Sequence, residues 1–192
     1  MNLSIIVEGL NDVRFLQDFI QYHFNKKLGR DVFIDVGGKT EKLFKSQEAI
    51  QASTDQAKSN ILIFDADDKD FESTSAKLNA KCEELNLSIE KVFLFPNDQA
   101  KGNLEALLME CVPPSHKTLF GCINDYQSCK SNTNISGLRK TDLKEAIRIY
   151  HGSFEYTGKA IATHRNYLQP HVWNLNSPST TKLKEFLNPY FQ

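Results

Sequence analysis

The sequence predicts a three-layer α/β/α domain with a mostly parallel central sheet of about four strands, and two observations predict it. Short apolar runs rich in β-branched and aromatic residues alternate with longer segments whose apolar residues recur at helical spacing. That order, β-α-β-α-β-α-β-α as far as residue 112, is what parallel strands joined by right-handed helical crossovers produce. The runs IIV, ILIF and VFLF are also apolar without a break, as strands covered on both faces require.

LSIIV (3–7) reads as the first strand. Residues 11–28 follow as a helix, with Val13, Phe15, Leu16, Phe19, Ile20 and Phe24 near one face and Asn11 or Asp12 as N-cap. DVFIDV (31–36) is a second strand, closed by a turn at Gly37-Gly38. Residues 40–52 read as a helix capped by Thr40, with Leu43, Phe44 and Ile50 inward. NILIFDA (60–66) is the clearest strand, followed by a helix over 72–85. IEKVFLFP (89–96) is the fourth strand, ended by Pro96, and GNLEALLMEC (102–111) the next helix. Pro113-Pro114 then breaks the chain, and the Ser, Asn, Gly and Cys of 121–140 read as a long loop or insertion. Helices are expected at 141–150 and 179–187. The division expected is an α/β core over 1–112 and a C-terminal extension over 113–192 packed on the same domain.

At 192 residues the chain is long enough for one well-buried core. Its formal net charge of −1 excludes a strongly basic nucleic-acid binder, so any contact with nucleic acid needs a local patch, a metal or a partner. The opening MNLSIIVEG has no basic stretch leading into an apolar signal region, and no apolar run approaches a membrane span. Cys82, Cys111, Cys122 and Cys129 form no CxxC pair. Reduced thiols in a cytoplasmic protein are the expectation.

The polar residues fall at strand ends. Glu8-Gly9, Gly37-Gly38-Lys39, Asp65 with Asp67, and Asn97-Asp98 follow the four strands in turn. In open parallel sheets this carboxyl edge is where ligands bind. Alternation along an extended strand would point Asp65 and Asp67 the same way. Crowded carboxylates repel one another and resist burial. A solvated, helix-capping loop is one account of them. The other is a hard-oxygen site for Mg²⁺ or Mn²⁺, in which the cation offsets the repulsion.

IIVEGLNDVRFL followed by ILIFDADD resembles the TOPRIM domain of type IA and II topoisomerases, DnaG-type primases and OLD-family nucleases, through Glu8-Gly9 and Asp65-Ala66-Asp67. FPNDQAKGNLEALLMECV and the tail GKAIATHRNYLQPHVWNLNSPSTTKLKEFL resemble a small stand-alone TOPRIM-like family of unknown function, related to the OLD-type domains. The resemblance implies a TOPRIM-like, Rossmann-like form of the three-layer fold. It implies that Glu8 binds metal or acts as general acid or base, and that Asp65 and Asp67 hold Mg²⁺ or Mn²⁺. Asp12 stands where OLD-type domains carry a second, longer acid, and Glu105 would complete a second metal position. Lys159 would stabilise charge on a transferring phosphate. The activity implied is phosphodiester cleavage or transfer on nucleic acid, DNA before RNA. No strand-passage or ATPase unit accompanies these motifs, so topoisomerase activity is not expected.

Other motifs fail on inspection. GGKT has Phe33 where a P-loop needs its first glycine. DADDKD has Lys69 where a haloacid-dehalogenase phosphatase has Thr or Val, and Ala76 where an EF-hand has its glutamate. The five histidines form no HxxxH or HExxH pair. Arg139, Lys140, Lys144 and Arg148 read as a solvated helix face that would be able to touch a phosphate backbone. Three functions remain open: a metal-dependent nuclease, a non-catalytic TOPRIM-fold module with a possible partner protein in DNA repair or phage defence, and, behind these, a small-molecule phosphohydrolase using the same metal edge.

Overall fold

A computed structural model describes residues 2–68, 71–154 and 166–192. Strands β1 (Leu3–Val7), β2 (Phe33–Asp35), β3 (Ser59–Asp65) and β4 (Lys91–Phe95) form one sheet in the order β2-β1-β3-β4. Every pairing is parallel, with Val7 opposite Asp35 and Ile63, and Asp65 opposite Phe95. The helices are α1 (Leu10–Phe24), α2 (Gln47–Asp55), α3 (Phe71–Glu84), α4 (Leu104–Glu110), α5 (Lys117–Ser131), α6 (Leu143–Gly152) and α7 (Thr181–Phe191).

Period-two alternation sorts the strand residues between two cores. Ile5, Val7, Ile61, Ile63, Phe93 and Phe95 pack with α1 and with α4 to α7. Ile6, Leu62, Phe64 and Leu94 point to the other face, where Leu43, Ile50, Leu78 and Cys82 cover them. The molecule is thus a three-layer α/β/α fold, as the unbroken apolar strands predict. The first core also takes in Tyr150, Tyr167, Trp173, Leu183 and Phe191, so residues beyond 112 share it with β1 and β3.

Several boundaries and one whole element differ from expectation. α1 stops at Phe24 instead of running to 28, because Asn25 takes a left-handed conformation (φ 53°) and its N–H returns to Gln21. Its N-cap is Gly9, and Asp12 lies inside the first turn. β2 is shorter than 31–36, since Arg30–Val32 form a 3-10 turn. The 40–52 helix divides into a 3-10 segment, Thr40–Ser46, and α2; Leu43 is buried, but Phe44 is exposed instead of inward. The largest correction is at 121–140, where most of the expected loop belongs to α5. Phe120 and Ile123 bury one side of that helix, while its Ser, Asn and Cys residues lie largely toward solvent and hide the periodicity.

Sheet order decides where a ligand would sit. The chain steps from β1 outward to β2, then returns to the opposite side of β1 for β3. Beyond the carboxyl ends of β1 and β3 the connections diverge, which opens a crevice at this switch point.

Candidate metal centre

Glu8 leaves the end of β1, and Asp65 is the last residue of β3. Glu8 Oε1 accepts the backbone N–H of Asp65 at 3.2 Å. Asp65 Oδ1 in turn accepts the N–H of Leu104, the first residue of α4, at 2.9 Å. Asp12 enters from α1, its carboxylate fastened to the Gly9 N–H at 2.9 Å. Glu105 enters from the first turn of α4 and is buried. Glu8, Asp12, Asp65 and Glu105 line one cavity of about 410 Å³, together with Asp35, Gly37, Gly38 and Lys144. The positive φ values of Gly37 (+69°) and Gly38 (+146°) turn the chain over the cavity rim, and the Gly38 N–H bonds the carbonyl of Glu8 at 2.8 Å.

The electrostatics are those of acids held together against their preference. Burial, opposed by the Asp65 N–H and reinforced by Asp67, pushes the Glu8 carboxyl up to about 7. Burial and the charge of Glu8 push Asp12 to about 7 as well. Asp65 rises to about 8, through burial first, then the charges of Glu8 and Asp12. Among the described residues, Lys144 is the one ammonium lining this cavity, with Nζ 4.0 Å from Glu105 Oε1.

Asp67 does not join them as expected. β3 ends at Asp65, so strand alternation no longer governs Asp67, which has φ +57° and exchanges two backbone hydrogen bonds with Gly102 (2.7 and 2.8 Å). Its carboxylate is paired with Lys39 Nζ at 2.5 Å and faces a neighbouring recess of about 250 Å³, shared with Glu8, Asp65 and Asp68. Glu8 and Asp65 line both spaces. Asn97 and Asp98 are spent on their own turn: Asn97 accepts the Ala100 N–H, and Asp98 the Leu94 N–H. Lys159 lies outside the described residues.

The donor set suits a hard divalent cation. Every candidate ligand is a carboxylate oxygen, and the acids lack enough nearby positive charge to offset one another. Among the described residues, no three acidic, histidine or cysteine side chains stand in a ready ligand cage, so the acids share a cavity without yet converging. Two lining residues were not singled out as ligands from sequence. Asp35 ends β2 and obeys the same strand-end rule as Glu8; Gly37 and Arg30 hold its carboxylate. Lys144 reaches the site only because α6 packs on α4, which no local pattern reveals. A larger groove of about 450 Å³ between α5 and α6 is lined mainly by Leu119, Ile123, Tyr126 and Ile149 and gathers no comparable set of acids. Among the described residues, no helix is long and apolar enough to cross a membrane.

Over residues 3–192 the chain matches the model of the family described as "Protein of unknown function (DUF3226)", and it belongs to that family. No curated protein and no solved structure matches it.

Proposed function

We propose that this DUF3226 chain is a TOPRIM-type enzyme that binds Mg²⁺ or Mn²⁺ and cleaves or transfers phosphodiester bonds in nucleic acid, with a cytoplasmic site of action and DNA as the preferred substrate. One observation carries the reading: Glu8, Asp12, Asp65 and Glu105, from four different elements or their ends, line a single cavity at the β1/β3 switch point. Three of them are held well above the ordinary carboxyl range. The order of the motifs around Glu8 and Asp65, which resembles TOPRIM and OLD-type domains, supports the same reading.

In this proposal Asp65, Asp12 and Glu105 hold the cation, and Glu8 divides its two oxygens between the Asp65 N–H and the cavity. A bound divalent cation would supply Lewis-acid polarisation and a water of lowered pKa. Glu8 stands at about 7 in the metal-free chain; a bound cation would lower it and leave an ionised carboxylate able to accept a proton near neutral pH. The Leu104 N–H holds one oxygen of Asp65 and so restrains its rotamer, leaving the second oxygen to meet the cation. Lys39, beside Asp67, offers positive charge at the neighbouring recess.

A second reading rests on Asp67. Its carboxylate is already paired with Lys39, which favours one cation over two and fits a non-catalytic module that keeps a structural ion and works with a partner protein. Incubation of the purified chain with supercoiled plasmid and with single-stranded DNA and RNA, in Mn²⁺, Mg²⁺ or EDTA, separates the two. Metal-dependent nicking that is lost in Asp65→Asn is the expected result. Intact metal binding without cleavage of any substrate would favour the module.

A further inference from the structure

Among the described residues, the one cation lining the acidic cavity belongs to none of the sequence motifs that drew attention to the site. Lys144 stands in the first turn of α6, just inside the Asp142 cap, whose carboxylate accepts the Glu145 N–H at 2.8 Å. The helix is anchored by Ile147, Tyr150 and His151, all buried, along a stripe that adjoins Lys144 and Arg148. Lys144 is therefore held at the cavity by packing, while its side chain remains 58% exposed. Its partner Glu105 is only 7% exposed, and 4.0 Å separates the charges. At 4.0 Å, with the ammonium largely in water, the pair is a weak contact for the fold. Holding the fold together is thus a weak account of why an ammonium stands there.

Arg148 follows one helical turn later. Residues four apart on a helix share a face, and α6 rises about 6 Å between them. Arg148 is 57% exposed, and its ion pair is with Glu145 at 3.2 Å, again at the surface. Before the helix, Arg139 and Lys140 line a cleft with Lys130 at the end of α5. Between 139 and 148 four cations face two acids, Asp142 and Glu145, in a chain whose net charge is −1. Asp142 is committed to its cap and Glu145 to Arg148. The local excess of positive charge thus begins at the edge of the acidic cavity and leads away from it.

We propose that the exposed face of α6, through Lys144 and Arg148, is a rail for the phosphate backbone of nucleic acid. Lys144 meets the phosphate nearest the acids, and Arg148 the next one along the strand. The proposal rests on the nucleic-acid reading of the acidic cavity and deepens it, by stating how a nearly neutral protein brings a polyanion to a cluster of carboxylates. Lys144 offers a point charge at the crowded end, and Arg148 a planar fork at the open end. Neither contact reads sequence, so binding is expected to be insensitive to base composition.

The test is fluorescence anisotropy of a labelled 20-base-pair duplex and of its single strand with the full chain. It is run in Ca²⁺, which takes the same oxygen donors, over a series of salt concentrations. Wild type is compared with Lys144→Ala/Arg148→Ala and with Lys58→Ala/Lys91→Ala. The second pair removes the same charge beside the starts of β3 and β4, at the opposite edge of the sheet. The rail predicts at least tenfold weaker duplex binding for Lys144→Ala/Arg148→Ala. It also predicts a slope of log K against log salt lower by about 1.8, two contacts at about 0.9 each. The α6 variant should keep a cooperative melt in Ca²⁺, Lys144→Arg/Arg148→Lys should bind as wild type, and so should the distant pair. Unchanged affinity and slope in the α6 variant, or an equal loss in the distant pair, would overturn the rail. Wild-type nicking of plasmid in the same preparation would then leave the nuclease reading standing. Wild type that neither nicks nor binds either strand form would overturn both.

Discussion

Glu8 and Asp65 are joined across the β1–β3 pair: Glu8 Oε1 accepts the Asp65 N–H at 3.2 Å, while the two carboxyl groups repel each other and share a cavity wall. The bond fixes where Glu8 points, and the repulsion sets its protonation. Glu8→Gln keeps an oxygen acceptor for that N–H and removes one of the charges. Metal-free Glu8→Gln is expected to melt several degrees above wild type at pH 8, since about 1 kcal/mol corresponds to 2–4 °C at this size. Nicking activity is expected to fall by about 10² or more, the usual loss for a positioned acid–base group. Calorimetric melting and a plasmid time course check the two halves separately.

The raised carboxyls also give the stability of the protein a sign. Glu8, Asp12 and Asp65 bind protons more tightly in the folded chain, at about 7, 7 and 8, than in the unfolded one. Stability from these groups is therefore fully present below about pH 4 and is lost as pH rises through 7 to 8. The metal-free protein is expected to melt lower at pH 8 than at pH 5.5. Mn²⁺ should raise the melting temperature far more at pH 8, where it meets ionised ligands, than at pH 5.5. Equal stabilisation at both values would place the cation elsewhere.

Much of this layout is legible in the sequence, and the illegible parts share a cause. Strands whose central apolar runs are buried leave little ambiguity, so β1, β3 and β4 and the acids that follow them stand out. What fails is anything settled by contacts distant in sequence. α5 hides because a helix buried on one side can carry Ser, Asn and Cys on the other, so composition misleads where Phe120 and Ile123 alone mark the inner face. Phe44 is exposed because a 3-10 segment turns faster than the α-helix its spacing was read on. Asp67 leaves the expected direction because its bridge to Gly102 ends strand geometry one residue early. Lys144 reads from sequence only as part of a cationic helix face, and its place beside the acids is set by the packing of α6 on α4.

Gly102 holds Asp67 in place and has φ +139°, a conformation nearly confined to glycine. A methyl group there would lie 3.2 Å from Pro96 Cδ and 3.3 Å from Ala106 Cβ. Gly102→Ala is expected to cost about 1–3 kcal/mol in strain and to disturb the recess that Asp67 and Lys39 line. Urea unfolding checks the first effect, and Mn²⁺ affinity the second.

Trp173 tests how deeply the C-terminal part enters the core. It is 2% exposed and lies 5.3 Å from the Tyr150 ring and 5.5 Å from the Tyr167 ring, with Tyr167 in turn against Phe15 of α1. Trp173→Ala is expected to cost about 3–5 kcal/mol, the range for emptying a large aromatic site. A loss below 1 kcal/mol in urea unfolding would mean that this layer is only loosely attached to the sheet.

Calorimetric titration of Mn²⁺ into wild type and Asp65→Asn at pH 8 tests the metal centre most directly. Asparagine can still accept the Leu104 N–H, so the fold is expected to persist, as a retained cooperative melt will show. Wild type is expected to bind Mn²⁺ and the variant to lose that binding. Undiminished Mn²⁺ binding by folded Asp65→Asn would contradict the assignment of the acidic cavity as the cation site.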